Sequence, residues 1–322
     1  MEGHMNPSPD FLQPDVQLDF ARQMSEIRKR CLWEGLQSTL QRLKIPEVDE
    51  QLAKYASEEG LSKLAVSGLR GELVYPIPLI LLASPSLLAY YRLLFGISQK
   101  EFFGKGGFGA FKRMEDRGEL TPTSNSKIGE LCKNLCLTAD SLVLGLDDLS
   151  HSLVKDLQLL TLGAQLRGSR NTKIGALASQ QVLELIAQIV GRAMTTRNDR
   201  GLEFKNAAGR QVRVEFASDP DVKVTELSGD TTRLILSIEI KGGADKSNIH
   251  NRLGEAEKSH LKAKQAGCAE LWTLIRVPLD DQSARRGSPT TTRFFQLDLV
   301  LQSKTAEHKA FRSALIMHLG LK

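Results

Sequence analysis

The chain has 322 residues, 41% of them hydrophobic and 25% charged, with a formal net charge of +5 at pH 7. That length fits one large globular domain or two ordinary ones, and neither an internal repeat nor a low-complexity segment is visible. The basic balance favours an acidic partner such as DNA without requiring one, and four cysteines (Cys31, Cys132, Cys136, Cys268) with no histidine completing a zinc pattern read as free thiols in a reducing cytoplasm.

Met1-Glu-Gly-His-Met5 reads as a cloning remnant before a second start methionine, with no signal peptide, so a cytoplasmic protein is expected. Residues 14–160 then read almost wholly as helix, from apolar spacings of three and four such as Val16 to Ile27 and Leu131 to Val143. The most apolar run, Val74 to Gly96, carries Pro76, Pro78, Pro85 and Arg92 and reads as a buried helix pair rather than a membrane span. Ile97-Ser-Gln-Lys-Glu and the segment Phe108–Pro122 resemble a repressor-type helix-turn-helix. The interval is about two residues short, however, and Gly104, Gly106 and Gly107 crowd the turn, so two ordinary packed helices are the alternative. Residues 161–175 read as a basic connector. Its Arg167, Arg170, Asn171 and Lys173 are side chains that grip phosphate or read bases, although a plain exposed linker would look the same.

Beyond it the pattern changes. Helix is expected over 179–194, strand over 210–217 and 232–241, helix over 247–266, strand over 269–277 and 293–302, and helix over 304–318. This order predicts a mixed α/β fold behind a helical N-terminal half.

The stretch Leu234-Ile-Leu-Ser-Ile-Glu-Ile-Lys241 is apolar until two charges close it. Ser237, Glu239 and Lys241 fall on one face, and Leu236, Ile238 and Ile240 on the other. A carboxylate and an ammonium group at a strand end are costly to bury without a task. They make sense as a metal ligand beside a cation that steadies a water. Seventeen residues lie between Pro220-Asp221 and Glu239, giving the PD-(D/E)xK pattern. Three rival acid-x-Lys triplets lack one feature or another. Glu307 lies in a helix, Asp221-Val-Lys223 has no apolar strand before it, and Glu203-Phe-Lys205 looks like a short edge strand. A solvated surface ion pair remains the plain alternative.

The order of elements matches the αβββαβ core of PD-(D/E)xK nucleases. More narrowly, Glu239 to Arg252, running into Gly254–His260, resembles type II restriction endonucleases, most of all the XcyI group that cuts CCCGGG. Tyr90–Phe103 and Leu162–Gly175 are similar to the same group, so the likeness spans roughly residues 85–300. It implies a helical DNA-clamping and dimerisation domain over 6–175 and a catalytic domain over 176–322, acting on double-stranded DNA as a homodimer with no membrane partner. Mg²⁺ suits phosphodiester hydrolysis because it needs few carboxylates, and Asp221 and Glu239 would hold it. The resemblance adds the Ile240 carbonyl as a ligand. Lys241 would position or help deprotonate the water. Asp219 rivals Asp221, and Glu184 is an accessory acid or a surface residue.

Specificity is expected just after the catalytic strand, with Ser247 capping the next helix. Asp245 can accept from cytosine and Lys246 or Arg252 can donate to guanine, whereas Asn248, His250 and Asn251 can use bases or phosphates. Asp245 could instead neutralise Lys246. A structure-specific repair nuclease and a non-enzymatic helix-turn-helix regulator are the other classes the sequence leaves open.

Overall fold

A computed structural model describes residues 15–217, 219–229, 231–243 and 248–321. The chain forms two compact units, Met1–Gly168 and Ser169–Lys322. Among the described residues, nine helices supply the first: α1 (Asp15–Cys31), α2 (Trp33–Leu40), α3 (Ile45–Tyr55), α4 (Glu58–Val66), α5 (Pro78–Ala83), α6 (Leu88–Leu94), α7 (Lys112–Arg117), α8 (Pro122–Gly145) and the first part of α9 (His151–Val190). Local chemistry sets several ends. Ser57 caps α4 by accepting from the Gly60 amide, and Thr121 and Ser124 form a capping box on α8 with Pro122 at its first position.

The apolar run 74–96 is buried protein core, as expected. Its prolines break it into α5, a 3₁₀ turn at Pro85–Leu87 and α6, whose residues are all buried. The polar groups caught inside are paired: the Tyr90 and Tyr91 hydroxyls donate to the Leu73 and Glu72 carbonyls, and Arg92 grips Glu115 through two bonds of 2.8 and 2.6 Å. The helix-turn-helix likeness has no counterpart here. Residues 101–117 form a π turn, a 3₁₀ turn and the six-residue α7, which Gly118 ends with φ of 68°.

The expected connector at 161–175 is not a connector: it lies inside the 40-residue α9. Three glycines and an asparagine suggested a break, since each glycine costs a helix about 1 kcal/mol. Burial outweighs that cost. Val154, Gln158, Leu162 and Leu166 are buried at intervals of four, as are Ala178, Val182, Ile186 and Val190 further along.

The second unit is built on a seven-stranded sheet in chain order: β1 (Met194–Asn198), β2 (Gly201–Lys205), β3 (Gln211–Phe216), β4 (Val222–Ser228), β5 (Thr231–Lys241), β6 (Leu271–Ile275) and β7 (Arg293–Gln296). β1 to β5 are antiparallel, and β5, β6 and β7 are parallel. The remaining helices are α10 (Ile249–Gln265), α11 (Asp281–Gly287), α12 (Leu297–Leu301) and α13 (Ala306–Leu319).

Four details differ from the sequence reading. β1 and β4 were not expected, and in β4 the buried Val222 and Val224 are interleaved with charged and polar residues that masked a short strand. β2 is no edge strand, because β1 covers it. The expected strand 293–302 is strand only to Gln296 and then turns into α12. The cap of α10 is Asn248, and Ser247 lies outside the described residues.

The alternation along β5 holds. Leu236, Ile238 and Ile240 join a core with Trp272, Leu274, Phe295, the end of α9 and α13. Ser237, Glu239 and Lys241 face the other way, towards α10, whose Ser259 bonds Glu239.

Candidate active site

The site forms at the carboxyl end of β5, where the antiparallel and parallel parts of the sheet meet. β4 opens at Val222, which pairs with Ile238, so Asp221 arrives one residue past the last ladder pair and on the same face as Glu239. Its Oδ2 accepts the Ile240 amide at 2.7 Å. That amide leaves β5 along the edge that β4 has ceased to cover, and the Ile240 carbonyl leaves along the same edge. Pro220, next in line, has no N–H to donate to that carbonyl.

Glu239 is 4% exposed. Lys241 Nζ donates to its Oε2 at 2.7 Å and Ser259 Oγ to its Oε1 at 2.6 Å. Burial pushes the Asp221 carboxyl up to about 6, and the facing Glu239 carboxylate adds to the shift. For Lys241, burial pulls the ammonium down, but Glu239, Asp221 and Glu255 together outweigh it and the net shift is upward. Asp219 behaves oppositely. The hydrogen bond from the Lys262 ammonium holds it below the usual carboxylate range, with a smaller influence from the Ser259 hydroxyl, and the ion pair with Lys262 is exposed. The two aspartates that the sequence could not separate thus have different surroundings: Asp221 turns into the site and Asp219 is tied to α10.

Asp221, Glu239 and the Ile240 carbonyl offer oxygen only, with two carboxylates against one ammonium group. Such a set fits a hard divalent cation, which would relieve the repulsion that raises Asp221. No cluster of three or more His, Cys, Asp or Glu side chains placed to hold a metal occurs among the described residues. The donors therefore suit a cation that keeps much of its own water.

Other expected residues fall as follows. Arg167, Asn171 and Lys173 are exposed and Arg170 half-buried, all on α9 rather than on a loop. Gly242 comes against the same helix one turn further on. A Cβ there would lie 2.5 Å from the Ala178 Cβ, so only glycine allows this approach. Arg252 Nη1 donates to the Gly243 carbonyl at 2.5 Å, Asn251 donates to Asn248 at 2.7 Å, and Asn248 and His250 are exposed. Asp245 and Lys246 lie outside the described residues. Glu184 is an exposed surface residue of α9, paired with Arg197 at 2.6 Å.

Several residues escaped the sequence reading. Arg276, just past the end of β6, donates to the Gly242 carbonyl at 2.8 Å and to Asp298 at 2.9 Å. Its position was a usable signal, because ligands gather at the carboxyl ends of parallel strands. Ser259 and Lys262 approach from α10, and their spacing of three in one helix is the only trace they leave in the sequence.

Comparison with known proteins gives the class, the type II restriction enzymes, which are site-specific endonucleases. The chain is 43% identical over 309 residues to the type II restriction enzyme Cfr9I of Citrobacter freundii, covering 94% of each protein. It is 42% identical over 310 residues to the type II restriction enzyme XcyI of Xanthomonas campestris pv. cyanopsidis, covering 94% of this chain and 93% of that one. A sequence profile described as XcyI restriction endonuclease matches residues 21–322, and the chain belongs to that family.

Proposed function

We propose that the protein cuts double-stranded DNA in the cytoplasm as a Mg²⁺-dependent homodimer, at a short palindromic G/C-rich site for which CCCGGG is the first candidate. The catalytic unit is read as a restriction-endonuclease-like core. One observation carries the chemistry: Asp221 and Glu239, from neighbouring strands, converge beside Lys241 at the open end of β5.

Asp221, Glu239 and the Ile240 carbonyl would hold the cation. When bound, Mg²⁺ supplies positive charge to the phosphoryl and leaving oxygens and acidifies water. Lys241 is held charged by its carboxylate neighbours, so its Nζ acts as a donor that orients the water and meets the phosphoryl oxygen, rather than as a base. A two-fold dimer would bring one such site to each strand of a palindrome.

Base reading is assigned to the segment after the catalytic strand, through Asp245, Lys246, Asn248, His250, Asn251 and Arg252. Arg167, Arg170, Asn171 and Lys173 are assigned to phosphates. Two observations support this division. Arg276 and Arg252 hold the carbonyls of Gly242 and Gly243, from which the proposed reading segment would start. The basic turn of α9 lies just before the stretch that receives Gly242.

The test is digestion of a phage genome with Mg²⁺, and separately with a chelator. Discrete fragments whose ends map to one G/C-rich palindrome are expected, and intact DNA in the chelator. A smear would overturn the sequence-specific reading, and cutting that survived chelation would overturn the metal assignment.

A further inference from the structure

Helix α10 turns one stripe of side chains towards the site: Arg252, Glu255, Ser259 and Lys262, spaced by three or four residues. Arg252 holds the Gly243 carbonyl, Glu255 acts on the charge of Lys241, and Lys262 pairs with Asp219. Only Ser259 is bonded to one of the residues assigned to the metal. Its hydroxyl, on a residue 6% exposed, donates to Glu239 Oε1 at 2.6 Å.

The place of Ser259 is fixed from behind. The neighbouring His260 Nε2 meets the Thr273 hydroxyl at 2.9 Å, on the residue of β6 that pairs with Glu239. Thr273 then meets Thr291 at 3.0 Å, Thr291 meets Ser288 at 2.8 Å, and Ser288 donates to Glu257 at 3.1 Å. This buried polar chain begins and ends on α10. It holds the helix to β6 and to the turn at 288–291, so the Ser259 hydroxyl cannot drift away from the carboxylate.

We propose that Ser259 is a positioning residue for Glu239. By occupying Oε1 it locks the side-chain torsions of Glu239 and turns Oε2, already beside Lys241, towards the cation site. Without the hydroxyl, a buried carboxylate oxygen loses its donor, and the side chain must rotate or draw Lys241 across both oxygens. Groups that orient a metal ligand in this way typically contribute about 10- to 100-fold in metal affinity. The inference rests on Glu239 being a metal ligand.

The experiment compares full-length wild type, Ser259→Ala, Ser259→Thr and Glu239→Ala. It measures Mn²⁺ binding by calorimetry without DNA, the Mg²⁺ concentration giving half-maximal cleavage, KM for DNA, and melting temperature in chelator. In Ser259→Ala, Mn²⁺ binding should weaken and the Mg²⁺ requirement rise by about 10- to 100-fold. KM should hold, the melting temperature should fall by no more than a few degrees, kcat should recover at high Mg²⁺, and Ser259→Thr should restore most of the metal affinity. Wild-type metal binding and Mg²⁺ dependence in Ser259→Ala would overturn the proposal. So would a loss that follows melting temperature and that threonine does not rescue, because the hydroxyl would then be structural. If Glu239→Ala loses metal and activity while Ser259→Ala loses neither, only the positioning role fails. If Glu239→Ala itself binds Mn²⁺ and cleaves normally, the assignment of Glu239 fails.

Discussion

Replacing Asp221 with asparagine should abolish cleavage and yet make the metal-free protein more stable at neutral pH. Burial and the Glu239 carboxylate raise the Asp221 carboxyl from 3.8 to about 6. The folded state therefore binds a proton more tightly than the unfolded chain does. The contribution of this one group to stability is greatest below about pH 4 and is lost as the pH climbs through the window from 3.8 to about 6. At 1.36 kcal/mol per pH unit, the ionised site costs at most about 3 kcal/mol at pH 7.5. Asparagine carries no charge and its carbonyl oxygen can still accept the Ile240 amide, so Asp221→Asn should recover about 1–3 kcal/mol of that. The melting temperature should rise by a few degrees. The assay is thermal unfolding of both proteins in chelator at pH 4 and pH 7.5, repeated with Mg²⁺. The advantage of Asp221→Asn should appear at pH 7.5, fade at pH 4, and shrink when Mg²⁺ stabilises the wild type alone. A variant no more stable at pH 7.5, or an equal advantage at both pH values, would refute the reasoning.

Three further outcomes follow from the same geometry. Asp219→Ala should keep most of its cleavage activity while Asp221→Ala loses it, since Asp219 is bound to Lys262 rather than turned towards Glu239; a digest with Mg²⁺ that ranked the two the other way would reverse the assignment. Arg170→Ala and Lys173→Ala should weaken binding to all duplexes alike and each flatten the salt dependence by about one counterion, whereas Arg252→Ala should cost about 1–3 kcal/mol per half-site mainly against the true site. Titrations with cognate and single-mismatch duplexes at two salt concentrations separate these patterns. Arg92→Ala leaves Glu115, 3% exposed, as a buried carboxylate without its guanidinium, and should cost about 3–5 kcal/mol in urea unfolding, with loss of DNA cleavage following only from loss of fold.

Much of this protein is readable in the sequence because the relevant forces act between near neighbours. The two-residue alternation that ends in Glu239 and Lys241 dictates which face of β5 carries charge, whatever lies across from it. The prolines and Arg92 between residues 74 and 96 mark a core segment for the same local reason. Where helix signals met glycines, local reasoning failed. Nothing near Gly163, Gly168 or Gly175 shows that burial of residues a turn or more away would carry α9 straight through. The choice between Asp219 and Asp221 was also out of reach of the sequence. What distinguishes their surroundings is the register of β4 against β5, which sets Asp221 opposite Glu239, and a lysine 43 residues from Asp219 that pairs with it. Ser259 left no trace beyond its spacing of three from Lys262. Its hydroxyl matters only because α10 lies on the charged face of the sheet, 20 residues along the chain from the carboxylate it holds. Sequence determined which groups this protein has for its chemistry. Tertiary packing decided which of them meet, since short hydrogen bonds between distant residues exist only once the sheet and helix are in place.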